Sequence, residues 1–118
     1  MSRLKEILSK KEKRKARLMS SLDSILEQLK SIGVLKIVLF GSLAYDEVDV
    51  YSDLDILAIM PSTRSGKQWM TLIYDEVERG IASDIIVFNE REFEENVPAS
   101  SFLQNIVNSG KVVYEKTV

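Results

Sequence analysis

The chain contains no cysteine and no histidine. Without cysteine there is no disulfide framework and no thiolate chemistry, and a cytoplasmic location is the default expectation. Without histidine there is no imidazole base and no His-ligated zinc. Any acid–base or metal chemistry must therefore run on carboxylates. No apolar run approaches the ~20 residues that span a bilayer, so no membrane association is expected. The basic start is followed by more charge, not by the apolar stretch of a signal peptide. There is no internal repeat and no low-complexity segment.

What is present is ordinary for one globular domain. The chain has 118 residues, 45% hydrophobic and 29% charged, which excludes a mostly disordered or collagen-like chain. Charge is distributed unevenly. Residues 1–17 hold Arg3, Lys5, Lys10, Lys11, Lys13, Arg14, Lys15 and Arg17 against only Glu6 and Glu12, a net +6, and the remaining 101 residues carry −8. A basic arm leads into an acidic body. The plain reading of the arm is a solvated helical face, although such arms also bind phosphates or acidic partners.

The spacing predicts one long helix over residues 3–32. Leu18, Leu22, Ile25, Leu29 and Ile32 form a narrow apolar seam, and Gly33 suits the position past the helix end. Leu4, Ile7 and Leu8 begin a similar stripe that Lys11 and Lys15 interrupt, so the first turns are expected to project or to pack on another subunit of a homo-oligomer. Val34–Phe40 reads as a buried strand. Asp53–Met60 reads as a second, stopped by Pro61, with a mobile loop over 61–66. A helix is expected over 67–79, a third strand over Ile81–Phe88, a short helix over Ala99–Ser109 after Pro98, and an edge strand over Lys111–Glu115. This pattern implies a mixed α/β (α+β) sheet of about four strands with helices packed on it. The expected division is a basic, amphipathic helix over 1–32 and a catalytic-type domain over 33–118.

Three acids interrupt the apolar strands. Asp53 and Asp55 are two apart, so they share one face of the second strand, and Asp84 lies in the middle of the third. If the strands are neighbours, the three carboxylates converge. Two carboxylates ~5 Å apart repel by roughly 3 kcal/mol at an effective dielectric near 20. A protonated acid or a bound cation relieves that. An all-carboxylate set suits Mg²⁺, which keeps waters and substrate phosphates in its shell, and argues against zinc. Phe40-Gly41-Ser42 precedes the acidic pair by ten residues. There a strand ends, Gly permits close backbone approach, and Ser is suited to cap a following helix, which together make an anion site. A phosphate cradle beside a two-metal carboxylate site is what nucleotidyl or phosphoryl transfer requires.

The runs Leu39-Phe40-Gly41-Ser42-Leu43-Ala44 and Ser52-Asp53-Leu54-Asp55-Ile56-Leu57, with Asp84 beyond, resemble the nucleotidyltransferase superfamily that includes DNA polymerase beta. More narrowly they resemble its minimal nucleotidyltransferases, whose signature is Gly-Ser, ten residues, Asp-x-Asp and a later third acid. Gly110-Lys111-Val112-Val113-Tyr114-Glu115 is similar to their tail, and the likeness spans roughly residues 34–115. The resemblance implies the polymerase beta-like fold. It implies that Gly41, Ser42 and Ser52 bind the nucleotide, and that Asp53, Asp55 and Asp84 hold two Mg²⁺ ions and carry catalysis. It further implies ATP as substrate, with AMP passed to a hydroxyl of a small molecule or partner protein. Minimal members are often antitoxins paired with a HEPN-domain toxin.

The family often has Arg-Gly after the Ala of its Gly-Ser motif, and here Tyr45-Asp46 stands instead, with Glu47 and Asp49 nearby. Arg64 and Lys67 are the candidate compensating cations, and ordinary surface charge is their plainer reading. The departure motivates a second reading, a catalytically weak or inactive module that binds a partner or dimerises. Nucleic-acid binding by the arm is the weakest reading, because no aromatic is interleaved there to stack on bases.

Overall fold

The computed structural model describes residues 3–117; residues 1, 2 and 118, at the outer ends of the two expected segments, lie outside the described residues. Helix α1 runs Arg3–Ile32 and is about 45 Å long at 1.5 Å per residue. The molecule measures 56 × 30 × 25 Å, and this helix accounts for the elongation. Strand β1 (Lys36–Phe40) follows, then a long connection, then β2 (Leu54–Met60), α2 (Gly66–Glu76), β3 (Ser83–Asn89), α3 (Glu90–Asn96), a 3-10 turn (Val97–Ala99), α4 (Ser101–Ser109) and β4 (Lys111–Glu115).

The sheet order is β3-β2-β1-β4. β1 lies antiparallel to both β2 and β4, and β2 and β3 are parallel, joined through α2. This is the expected mixed four-stranded sheet with a long leading helix. β4 lies on an edge, as its sequence suggested. Alternation along the strands divides the core into two layers. On one face Ile37, Leu39, Leu54, Ile56, Ala58, Met60, Ile85 and Val87 pack against Leu18, Leu22, Ile25 and Leu29 of α1 and Trp69, Ile73 and Val77 of α2 and its end. On the other face Val38 and Leu57 meet Leu103 and Ile106 of α4, with Phe40, Ile86, Phe88 and Phe93 alongside. The seam of α1 is therefore buried from Leu18 onward, while Leu4, Ile7 and Leu8 are exposed. Among the described residues no helix is long and apolar enough to cross a membrane.

α3 was not expected. Its start is built by a reciprocal cap in which Asn89 Oδ1 accepts from the Glu92 N–H (2.8 Å) and Glu92 Oε1 accepts from the Asn89 N–H (2.9 Å). Glu92 Oε1 also accepts from the Gly66 N–H (2.8 Å), so one carboxylate ties the starts of α2 and α3 together. A second correction concerns residues 42–50. No helix follows Ser42; the chain makes successive turns, with Ala44 N–H on Gly41 O and Glu47 N–H on Ser42 O.

Candidate active site

Strand direction gathers the singled-out residues. β1 ends at Phe40, which lies opposite Asp55 near the start of β2. Asp55 in turn lies opposite Asp84 at the start of β3. Gly41, Asp55 and Asp84 thus occupy the same end of three adjacent strands. Asp53 stands two residues before Asp55, and the acids share the sheet face that carries Leu57 and Ile86. α4 covers that face farther along and leaves the acids at its open margin, where Phe102 meets Phe40 edge-on at 6.1 Å between ring centres.

Gly41 adopts φ +76°, and a Cβ there would overlap Asp55 Oδ2. The glycine therefore serves two needs, a left-handed turn and a close approach of main chain to carboxylate. Asp55 is half-buried, whereas Asp53 and Asp84 are exposed. Burial raises the Asp55 pKa, and the neighbouring charges of Asp84 and then Asp53 push it further in the same direction.

Two cations of α1 reach this end of the sheet. Arg14 Nη2 lies 3.6 Å from Asp53 Oδ1, and Arg14 Nε donates to Ser52 O at 2.8 Å. Its side chain is only 18% exposed, against 58% for Asp53. Lys15 Nζ pairs with Asp46 Oδ1 at 2.6 Å. That bond, ahead of the Lys15 charge, lowers the Asp46 pKa. Asp46 itself holds φ +55°, a conformation glycine adopts more easily, at the position where the minimal nucleotidyltransferases often have Gly. The arm is thus not simply a solvated face. The sequence signal for Arg14 and Lys15 was the surplus of basic residues itself; only the three-dimensional path of α1 shows which of them meet acids.

The other expected cations lie elsewhere. Arg64 and Lys67 follow the end of β2, so the seven residues of that strand, about 20 Å at ~3.3 Å each, separate them from Asp53 and Asp55. Arg64 stacks over Trp69 at 5.1 Å, and Lys67 lines a groove with Gly66, Met70 and Phe88. Neither compensates charge at the acids. Ser42 occupies the turn beside Gly41. The Ser52 hydroxyl accepts from the Asp49 N–H at 2.8 Å and so shapes the loop that delivers Asp53.

The residues 22–113 match the family model described as the nucleotidyltransferase domain. The chain belongs to this family. A nucleotidyltransferase-family architecture is also seen in the crystal structure of a candidate nucleotidyltransferase from Sulfolobus solfataricus, which is 16% identical, with a TM-score of 0.64, covering 91% of this chain and 88% of that one. At that identity the likeness speaks for the fold. No curated protein matches the chain. As a nucleotidyltransferase-domain protein, it places Gly41, Asp53, Asp55 and Asp84 on one rim of its sheet.

A divalent cation is the group this family generally uses with its nucleotide. Among the described residues no three acids are drawn tightly enough together to form a ready-made cage. Mg²⁺ does not need one, because it is usually held by one or two carboxylates with waters and substrate phosphates completing the shell. The all-oxygen donors fit it. So does the mutual repulsion at Asp55, and so does the main chain of Gly41 pressed against that carboxylate.

Proposed function

We propose that the protein is a Mg²⁺-dependent nucleotidyltransferase that moves AMP from ATP to a hydroxyl group. The single observation that carries this reading is the register that sets Asp84 opposite Asp55, with Gly41 closing on the same carboxylate. Asp53 and Asp55 would hold the metal, and Asp84 would complete a second position. Bound Mg²⁺ neutralises charge that develops on the α-phosphate and on the departing oxygens.

The chain's own residues supply the rest. Gly41 would offer a close main-chain approach and Ser42 its hydroxyl to the β- and γ-phosphates, and Ser52 positions Asp53. Asp84 orients the attacking hydroxyl and takes its proton. The hydroxyl oxygen forms a bond to the α-phosphorus, the bond from that phosphorus to the bridging oxygen breaks, and pyrophosphate leaves. The acceptor hydroxyl would come from a small molecule or from a partner protein. A HEPN-domain toxin of a toxin–antitoxin pair is the partner the family resemblance implies.

Incubation with α-labelled ATP, Mg²⁺ and a panel of candidate acceptors tests the reading. Label should move to an acceptor and pyrophosphate should appear in equal amount. Chelation or Asp55→Asn should reduce transfer by at least 10²-fold, the scale of losing a main electrostatic contribution. Transfer that survives Asp55→Asn would contradict the assignment. The Tyr45-Asp46 departure supports the second reading, a non-catalytic partner-binding module. Normal partner binding without any ATP–Mg²⁺ binding would favour it.

A further inference from the structure

The first turns of α1 carry an apolar stripe that the core does not use. α1 ends beside the start of β1, so its opening turns lie at the other end of the sheet, the end that holds the acids. Arg14 is fixed there by its bond to the Ser52 carbonyl and its approach to Asp53. From Arg14 back to Arg3 the helix extends about 16 Å, and every residue from Arg3 to Lys10 is exposed. A helical tip of that length does not fold back onto its own body. Leu4, Ile7 and Leu8, spaced i, i+3 and i+4, continue the stripe of Leu18 and Leu22, yet they are 64%, 43% and 50% exposed. Lys11 stands in the same stripe, and Arg3 and Lys10 flank it. Among the described residues Arg3, Lys10 and Lys11 make no ion pair.

The same end of the molecule carries the opposite charge. The loop after Gly41 holds Asp46, Glu47 and Asp49, and Lys15 pairs with Asp46 alone. Glu47 and Asp49 are exposed, and among the described residues neither has an ion pair. Two rings stand out beside them, Tyr45 and Tyr51, the second 86% exposed. One end of the protomer therefore presents a cationic tip with an apolar stripe and, about 16 Å behind it, an anionic loop with exposed aromatics. We propose that these two surfaces bind each other between two copies of the chain, which form a head-to-head homodimer. A two-fold axis at this end sets each tip on the other copy's loop, so the contact is made twice and closes. Leu4, Ile7 and Leu8 are then covered by Tyr51 and Tyr45 of the second copy, and Lys10 and Lys11 face its Glu47 and Asp49. The net +6 of residues 1–17 against −8 in the remaining residues draws the copies together in this orientation. The proposal does not depend on nucleotidyl transfer.

Sedimentation velocity of the full chain at low salt, from about 5 to about 500 µM, tests the proposal. The wild type should form a dimer within that range and should dissociate as salt rises towards about 1 M. Three exposed-site variants locate the contact. Lys10→Glu with Lys11→Glu reverses the tip. Glu47→Lys with Asp49→Asn reverses the loop, and the Asn oxygen still accepts the Tyr51 N–H that Asp49 accepts at 2.8 Å. Leu4→Gln with Leu8→Gln removes the stripe. Each alone should weaken dimerisation by about tenfold or more and leave the circular dichroism spectrum unchanged. The decisive arm mixes the tip variant with the loop variant. In the mixed pair an acidic tip meets a basic loop and a basic tip meets an acidic loop, so a heterodimer should form with near wild-type affinity. A monomer at every concentration would overturn the proposal, as would a mixture that stays monomeric. A loop variant that dimerises like wild type would also overturn it, because the arms would then be pairing with each other.

Discussion

Gly41 joins backbone conformation to chemistry at a single position. Its φ of +76° suits glycine, and its missing Cβ leaves room for Asp55 Oδ2. Gly41→Ala should therefore destabilise the fold by about 1–3 kcal/mol through backbone strain alone, and it should also displace Asp55. Urea denaturation of the variant measures the first effect, and a loss of metal-dependent stabilisation larger than the loss of stability reports the second. Asp55 is unfavourable as an anion, first because it is partly buried and then because Asp84 and Asp53 lie nearby. Its pKa is raised, so between the ordinary carboxylate value and the raised one the folded state holds a proton that the unfolded state has lost. Stability contributed by this group therefore falls as pH rises through that window and stays low at neutrality. Asp84→Asn removes the larger of the two neighbouring charges that act on Asp55. It should raise Tm at pH 7 by about 2–4 °C, and the gain should shrink as pH drops below the carboxylate range. A variant that is less stable than wild type at pH 7 would contradict this account. Asp46 is the opposite case, an exposed acid held charged by Lys15 on a backbone that favours glycine.

At the level of elements, α1 and α3 differ in how far their sequences announced them. The seam Leu18, Leu22, Ile25 and Leu29 was readable because a period near 3.6 over several turns has few competing explanations. α3 was overlooked because Glu90–Asn96 is short and mostly charged, with no apolar face to detect. Its signal was the local capping pattern, Asn89 followed by Glu92, and only the fold reveals that Glu92 also receives the Gly66 N–H. Glu92→Ala removes acceptors for the Asn89 and Gly66 N–H groups at two helix starts. It should cost about 1–2 kcal/mol, at the upper end for a single cap, as read from chemical denaturation. Gln at the same position should recover part of that, since its carbonyl oxygen can still accept. The helix that Ser42 was suited to cap is absent for a related reason. A Ser after a strand is a permissive signal, and the residues that follow, Tyr45-Asp46-Glu47, are drawn into turns by the left-handed Asp46 and by its bond to Lys15.

Across the whole molecule, the singled-out residues are sorted by the ends of the sheet. The end that holds the close of β1 and the starts of β2 and β3 gathers Gly41, Asp53, Asp55 and Asp84. The opposite end gathers Arg64, Lys67 and the paired caps of α2 and α3. The acids were legible because an aspartate inside an apolar strand is a local anomaly, visible without any partner. The cations were not, because a surplus of lysine and arginine on a helix does not say which of them faces an acid thirty or more residues away. Arg14 and Lys15 find Asp53 and Asp46 only because α1 crosses the core at the height set by Leu18 and Leu22. Arg64 and Lys67 keep their plainer reading as surface charges, since the length of β2 separates them from Asp55. The elongated shape follows from the same helix, whose first turns extend beyond the core they serve. The most direct test of the central claim is paramagnetic broadening of amide NMR signals by substoichiometric Mn²⁺ in the presence of a non-hydrolysable nucleotide. Signals of Gly41, Ser42, Asp53, Asp55 and Asp84 should broaden first, and the effect should vanish in Asp55→Asn. Broadening centred on the acidic stretch Glu90–Glu95, or unchanged by that substitution, would show that these aspartates do not form the metal–nucleotide site.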